Sequence, residues 1–160
     1  MSIEKAKTHL EKFNAADRVI EFEVSSATVE LAAKAIGCEP CMIAKSLTFG
    51  VDGKAIMIVA AGDAKVDNHK YKEFFGTKSK MLTPDEVENL IGHTIGGVCP
   101  FGINDGVDVY LDVSMKRFDY IYPAAGSSNS AIKLTMNELE EFSGSKAWID
   151  VCKLPENQVQ

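Results

Sequence analysis

The stretch that most constrains this chain is residues 46–61. Two strand-like runs, 46–50 and 54–61, are joined through Asp52-Gly53. That dipeptide tolerates the positive φ angles of a two-residue turn, so the runs are expected to form a β-hairpin. The apolar run 55–62 is far too short to cross a bilayer.

Helical patterns surround the hairpin. Ile3, Ala6, Leu10 and Phe13 recur at helical spacing and predict an opening helix over 3–13. Residues 18–24 alternate as a strand. Ser25-Ser26 can cap a helix that carries Val29, Leu31, Ala32 and Ile36 and stops at Gly37. A helix over 68–75 ends at Gly76. Thr83-Pro84-Asp85-Glu86 combines a cap, a first-turn proline and a glutamate three residues after the cap, and opens a helix to Ile91. Strands are expected at 107–111, 119–123, 130–134 and 147–152. A second capping box, Thr135-Met136-Asn137-Glu138, opens a short helix to Phe142. Helices interleave with strands while hairpins are mixed in. The expected fold class is therefore α/β of the mixed, α+β kind, with a mixed sheet and flanking helices.

At 160 residues, 46% hydrophobic and 25% charged, the chain has the length and composition of one soluble domain. No repeat or linker divides it, so a single domain over 1–160 with a core of about 3–154 is expected. No apolar segment of signal-peptide length opens it, and a cytoplasmic location with reduced cysteines is expected. The 17 basic residues face 23 acidic ones, a net of −6, and only Arg18 and Arg117 are arginines. A protein that coats DNA or an anionic membrane needs a dense cationic face, so neither is an expected partner.

Familiar catalytic patterns are absent. There is no Gly-x-Ser-x-Gly elbow, phosphate-binding P-loop or dinucleotide fingerprint. Cys38-Glu39-Pro40-Cys41 has dithiol or half-zinc spacing, but Cys99 and Cys152 offer no second pair; small residues in a turn are the simpler reading. His9, His69 and His93 are isolated, with His9 and His69 expected at the surface and His93 ahead of a glycine loop. No metal and no cofactor is expected.

Two features ask for more than packing. Lys45 is expected at the mouth of the strand 46–50, with an apolar stem and a free ammonium suited to a phosphate, a carboxylate or an ester carbonyl. The loop Gly96-Gly97-Val98-Cys99-Pro100-Phe101-Gly102 leaves main-chain N–H groups uncovered, able to hold an oxyanion or place a water.

Residues 43–49, the Gly96-x-x-x-Pro100 loop, Val109-Tyr110-Leu111-Asp112 and Ala125-Gly126-Ser127 come in an order that resembles the YbaK/prolyl-tRNA-synthetase-associated domain, a family of aminoacyl-tRNA editing deacylases. The resemblance spans roughly residues 20–142. It implies a mostly antiparallel, partly barrel-like mixed sheet and hydrolysis, in trans, of the ester on a mischarged tRNA. The implied substrate is tRNA for proline carrying a wrong small amino acid such as Cys, Ala, Ser or Thr.

Carried over residue by residue, the resemblance names Lys45, Gly96, Gly97 and Pro100 as catalytic positions. Ser46, Val98, Cys99, Phe101, Gly126, Ser127 and Ser128 are candidate substrate contacts. The aminoacyl-tRNA acceptor end is the implied partner, with prolyl-tRNA synthetase as a second. The family needs no covalent enzyme nucleophile, the ribose hydroxyl and a water doing much of the work. Where some subgroups carry a late histidine, this chain has Asn129-Ser130. Two alternatives are a non-catalytic module that binds aminoacyl-tRNA or a synthetase, and a thiol protein using Cys38 and Cys41.

Overall fold

The computed structural model describes residues 2–23 and 28–155. The hairpin forms as expected. Strands β2 (Ile43–Val51) and β3 (Lys54–Ala61) pair antiparallel from Ala44↔Ala61 to Val51↔Lys54. Asp52 and Gly53 turn the chain with φ of 51° and 80°, both positive as a type I′ turn demands. Every residue of β3 after Lys54 is buried. Full burial of a side chain such as Ile58 stabilises by roughly 1.5–3 kcal/mol, which makes this strand the centre of the core.

A curled six-stranded sheet grows around the hairpin. β5 (Asp108–Asp112) runs parallel to β3, and β9 (Ala147–Ile149) parallel to β5. On the other side β6 (Tyr120–Pro123) runs parallel to the start of β2, and β8 (Leu134–Thr135) antiparallel to β6. The order is β8-β6-β2-β3-β5-β9. Two antiparallel ribbons complete the strands. One joins β1 (Ile20–Glu21) to β7 (Ser130–Ala131), the other β4 (Lys65–Val66) to β10 (Cys152–Lys153).

Helix α1 (Ser2–Glu11) buries Ala6 and Leu10, and Phe13 beyond it stacks on Phe142 at 4.6 Å. Phe142 lies in α5 (Met136–Ser143), whose start carries the complete Thr135–Glu138 capping box. Helix α3 (Asn68–Phe75) packs aromatic to aromatic on the sheet, through Phe49–Tyr71 at 5.2 Å and Phe75–Tyr110 at 5.4 Å. Helix α2 (Val29–Ile36) is capped by Thr28, whose hydroxyl accepts from Leu31 N–H at 3.1 Å. The expected cap Ser25-Ser26 lies outside the described residues.

Several expectations are corrected. Strand β2 begins at Ile43 because Ile43 and Ala44 pair with Tyr122 and Pro123 of β6, so Lys45 lies inside the strand and not at its mouth. The expected strand 18–24 is reduced to β1, after a 3₁₀ turn Ala16–Arg18; Val24 lies outside the described residues. The run 130–134 divides into β7 and β8 because its two ends pair with different strands. The run 147–152 divides where Val151 N–H leaves the sheet to donate to Asp112 Oδ1 at 3.0 Å. The helix to Ile91 is one α-turn, α4 (Pro84–Glu86), continued by the π-helix Val87–Ile91.

Candidate active site

One cavity gathers most of the residues singled out from the sequence. It has a volume of about 260 Å³ and is bounded by β2, α2, the glycine loop and the turn before β7. Lys45, Ser46, Gly96, Val98, Ser127 and Ser128 all line it. The pleat and β2's partners set where these side chains fall. Lys45 is opposite Ala60 in β3, and its pair-mate two positions back, Ile43, is opposite Tyr122 in β6.

Lys45 is half-buried, and among the described residues its ammonium has no hydrogen bond or ion pair. Burial lowers its pKa from the ordinary lysine value; Cys152, Asp63 and Glu30 act in the opposite direction and Lys65 adds to the fall. A desolvated cation without a partner gains strongly from any anion or polarised oxygen that enters. Among the described lining residues Lys45 is the one charged side chain, and none is His, Cys, Asp or Glu.

The glycine loop and the 125–128 turn meet without side chains between them. A Cβ on Gly97 would lie 2.6 Å from the carbonyl oxygen of Gly126 and 2.8 Å from Ser127 Cα. Gly126 has φ 97°, a conformation that glycine adopts without strain. Gly97 and Gly126 line a second recess together with His93, Ser127 and Ser128, the last two of which also line the first. The two candidate segments are thus one wall.

Cys99, Pro100 and Phe101 are buried and line neither hollow. They support the loop from beneath. Cys99 Sγ lies 3.5 Å from Phe101 O, to which it can donate, and 3.6 Å from His93 Nε2. Burial pushes its thiol up to about 12, far from nucleophilic activation.

His93 is 1% exposed, with Nε2 2.7 Å from Phe101 O. That contact requires Nε2 to donate, which leaves Nδ1 as an acceptor with no partner among the described residues. Burial lowers the pKa of His93. His69 is exposed and pairs with Glu73 at 3.0 Å, as a surface histidine. His9 is a correction: it is half-buried, Nε2 2.6 Å from Phe142 O, because the apolar face of α1 turns it against α5.

Ser127 is already engaged. Its hydroxyl reaches Asn129 Oδ1 at 2.8 Å and Ser130 Oγ at 2.7 Å, while Ser130 donates to Ser127 O at 3.3 Å. Asn129 in turn holds Phe22, donating from Nδ2 to Phe22 O and accepting from Phe22 N–H. This network shapes the turn. Cys38 and Cys41 sit at the end of α2 and in the following 3₁₀ turn, unbridged, and desolvation raises both thiols. Reactive dithiols depend on the opposite shift.

Sequence reasoning missed Tyr122, Met81, Ile95 and the apolar face of α2 as parts of the wall. Tyr122 carries no local signal, since its place follows from pairing with Ile43 across a long separation. Met81 and Ile95 carry none either: only the fold shows that they stay 61% and 63% exposed while lining the cavity. Among the described residues, no three or more His, Cys, Asp or Glu side chains come together as a metal site, and no helix is long and apolar enough to cross a membrane.

Comparison with known proteins agrees with this geometry. The uncharacterized protein YwhH of Bacillus subtilis (strain 168) is 57% identical over 154 residues, 96% of this chain and 98% of that protein. A proline–tRNA ligase of Staphylococcus aureus (strain Newman) is 35% identical over 71 residues, 44% of this chain and 12% of the ligase. The chain therefore spans only a small part of that relative. A crystal structure provisionally described as a trans-editing enzyme for prolyl tRNA synthetase superposes with a TM-score of 0.86 at 29% identity, over 95% of this chain and 97% of that one. Residues 23–142 match the model of the aminoacyl-tRNA editing domain, and the chain belongs to that family.

Proposed function

We propose that this protein hydrolyses, in trans, the ester that joins a wrong amino acid to the terminal ribose of a tRNA. The observation that carries this reading is the cavity lining itself: a half-buried Lys45, without an ion pair or hydrogen bond among the described residues, shares the cavity with Gly96 of the glycine loop, and no His, Cys, Asp or Glu is among the described lining residues. An aminoacyl ester is an activated bond, so positioning and electrostatic help to the developing oxyanion suffice. Water attacks the carbonyl carbon, the ester C–O bond breaks, and the ribose oxygen leaves with a proton.

In this reading Lys45 holds the substrate end through its charge. The backbone of Gly96 and Gly97 orients the groups around the ester, and Pro100 keeps the loop in shape from below. Ser46, Val98, Ser127 and Ser128 bound the amino acid. Ile43, Ala44 and Leu47 make the remaining wall apolar, which together with the modest volume favours a small side chain. The relation to a proline–tRNA ligase and to a prolyl trans-editing structure supports tRNA for proline as the substrate and the synthetase as a partner. A cytoplasmic location and a single domain over 1–160 accord with this role.

The test is deacylation of a panel of mischarged tRNAs, including proline tRNA carrying Ala, Cys, Ser or Thr. Rapid release from at least one, lost in Lys45→Ala, is expected. Binding of every tRNA with hydrolysis of none would instead make the protein a non-catalytic module.

A further inference from the structure

A net charge of −6 leaves open where a polyanion could rest. The answer lies in the segment between α3 and α4. Residues 80–82 add to the free edge of β2: Gly50 N–H donates to Lys80 O at 2.9 Å, Leu82 N–H donates to Thr48 O at 3.2 Å, and Phe49 bridges Met81. Backbone pairing thus fixes Lys80 and its neighbours against the sheet.

Beside this segment a hollow of about 480 Å³ is lined by Lys54, Lys78 and Lys80. Lys78 and Ser79 continue into a further hollow of about 440 Å³ with Lys72 and His69. At the other end, Met81 and Leu82 line both the lysine hollow and the Lys45 cavity. The three hollows form one track. Asp52 and Glu86 are the acids that line it, and Glu86 is turned back to accept from Thr83 N–H at 2.9 Å. Lys54 lies 3.8 Å from Asp108. Lys72, Lys78 and Lys80 are exposed and form no ion pair among the described residues. By contrast Lys70 is held by Asp150 and by Cys152 O, both at 3.0 Å.

We propose that the groove carrying Lys72, Lys78, Lys80 and Lys54 is the surface along which the phosphate backbone of the tRNA acceptor arm runs, leading the aminoacyl end across Met81 and Leu82 into the cavity. The proposal rests on the substrate class argued above and adds a direction of approach. Exposed ammonium groups without an ion pair among the described residues, those of Lys72, Lys78 and Lys80, neutralise phosphates and release their counterions whatever the overall charge, with Lys54, beside Asp108, extending the row. Met81, exposed between the row and the cavity, offers an apolar surface for a terminal base.

The experiment measures binding of uncharged proline tRNA over a series of salt concentrations, for wild type, Lys78→Ala/Lys80→Ala, Lys78→Arg/Lys80→Arg and a control, Lys12→Ala/Lys133→Ala. Loss of two phosphate contacts is expected to weaken binding about tenfold and to lower the slope of log affinity against log salt by roughly 1.5. The arginine variant and the control are expected to keep the wild-type slope. The proposal is overturned if the alanine variant keeps the wild-type affinity and slope, or if the control loses as much. Deacylation of an aminoacylated terminal trinucleotide, too short to reach the groove, is measured alongside. Wild type inactive on every aminoacyl substrate would sink the hydrolase reading alone, since the tRNA-binding arm still decides the groove.

Discussion

Gly97 and Gly126 touch main chain to main chain: a Cβ on Gly97 would stand 2.6 Å from the Gly126 carbonyl oxygen. Neither neighbour is a side-chain tip that can swing away, so even a methyl group must push the glycine loop off the turn before β7. Both segments bound the two hollows.

Gly97→Ala is therefore expected to cost about 2 kcal/mol, within the range for overpacking. For a chain of this length that corresponds to a melting temperature lower by about 4–8 °C. Deacylation is expected to fall far more than the unfolded fraction explains. Calorimetry and activity measured well below the melting temperature separate the two effects.

Lys45→Met should behave in the opposite way. Removing a desolvated charge that has no ion pair or hydrogen bond among the described residues leaves stability unchanged or raised, while deacylation is lost by a factor of at least about 100, as expected when an electrostatic group is removed. The pH profile gives an independent check. Burial lowers the pKa of Lys45 from its ordinary 10.5, so wild-type activity should decline on the alkaline side at a lower pH than an exposed lysine would give. A profile flat up to that ordinary value would show that the Lys45 charge is not used.

His93 is buried and its pKa is lowered from 6.5. The unfolded chain then takes up the proton first, so stability is full above pH 6.5 and is lost as pH falls from there through the folded value. Denaturant midpoints measured between about pH 8 and pH 5 should decline more steeply for wild type than for His93→Gln. Parallel curves would contradict the buried neutral ring.

Arg18 and Glu138 tie the N-terminal segment to α5 through two hydrogen bonds of 2.6 and 3.0 Å. The Arg18 guanidinium holds the Glu138 carboxyl down from 4.5 to about 2. Its stabilisation is present above pH 4.5 and is lost as pH falls through about 2. Both side chains are partly exposed, so solvent screening limits it to about 1 kcal/mol. Glu138→Gln should lower the urea midpoint at pH 7 and make little difference near pH 2.

Thiol labelling distinguishes packing from chemistry. Cys38 and Cys41 are half-buried, Cys99 and Cys152 buried. The first pair should label slowly in the native protein, the second only on unfolding. Cys99→Ala should keep deacylase activity while losing about 1–2 kcal/mol of stability to the cavity it leaves. Abolished activity in a folded Cys99→Ala variant would give the thiol a role that its burial argues against.

Much of this molecule is legible from local rules. Asp52-Gly53 specifies its turn, Thr83 and Thr135 close their capping boxes, and Gly37, Gly76 and Gly92 end their helices in the left-handed conformation. Each of these depends on atoms a few residues apart. Lys45 and the glycine loop were identifiable for a related reason: a lysine in an apolar run and three glycines around a proline are locally costly unless something repays them.

What local rules do not reach is partnership. Lys45 belongs inside β2 because Ile43 and Ala44 find Tyr122 and Pro123 nearly eighty residues later. The run 130–134 divides because β1 and β6 each claim one end. Cys99 and Phe101, equal to their neighbours as loop residues, are turned inward by α1 and the core. The lysine groove joins the cavity only because residues 80–82 pair with β2. By itself the sequence determined the turns, the caps and the chemistry on offer. Only the tertiary structure decided which of those groups share a wall, because register and burial are set by pairing between segments that no local window contains.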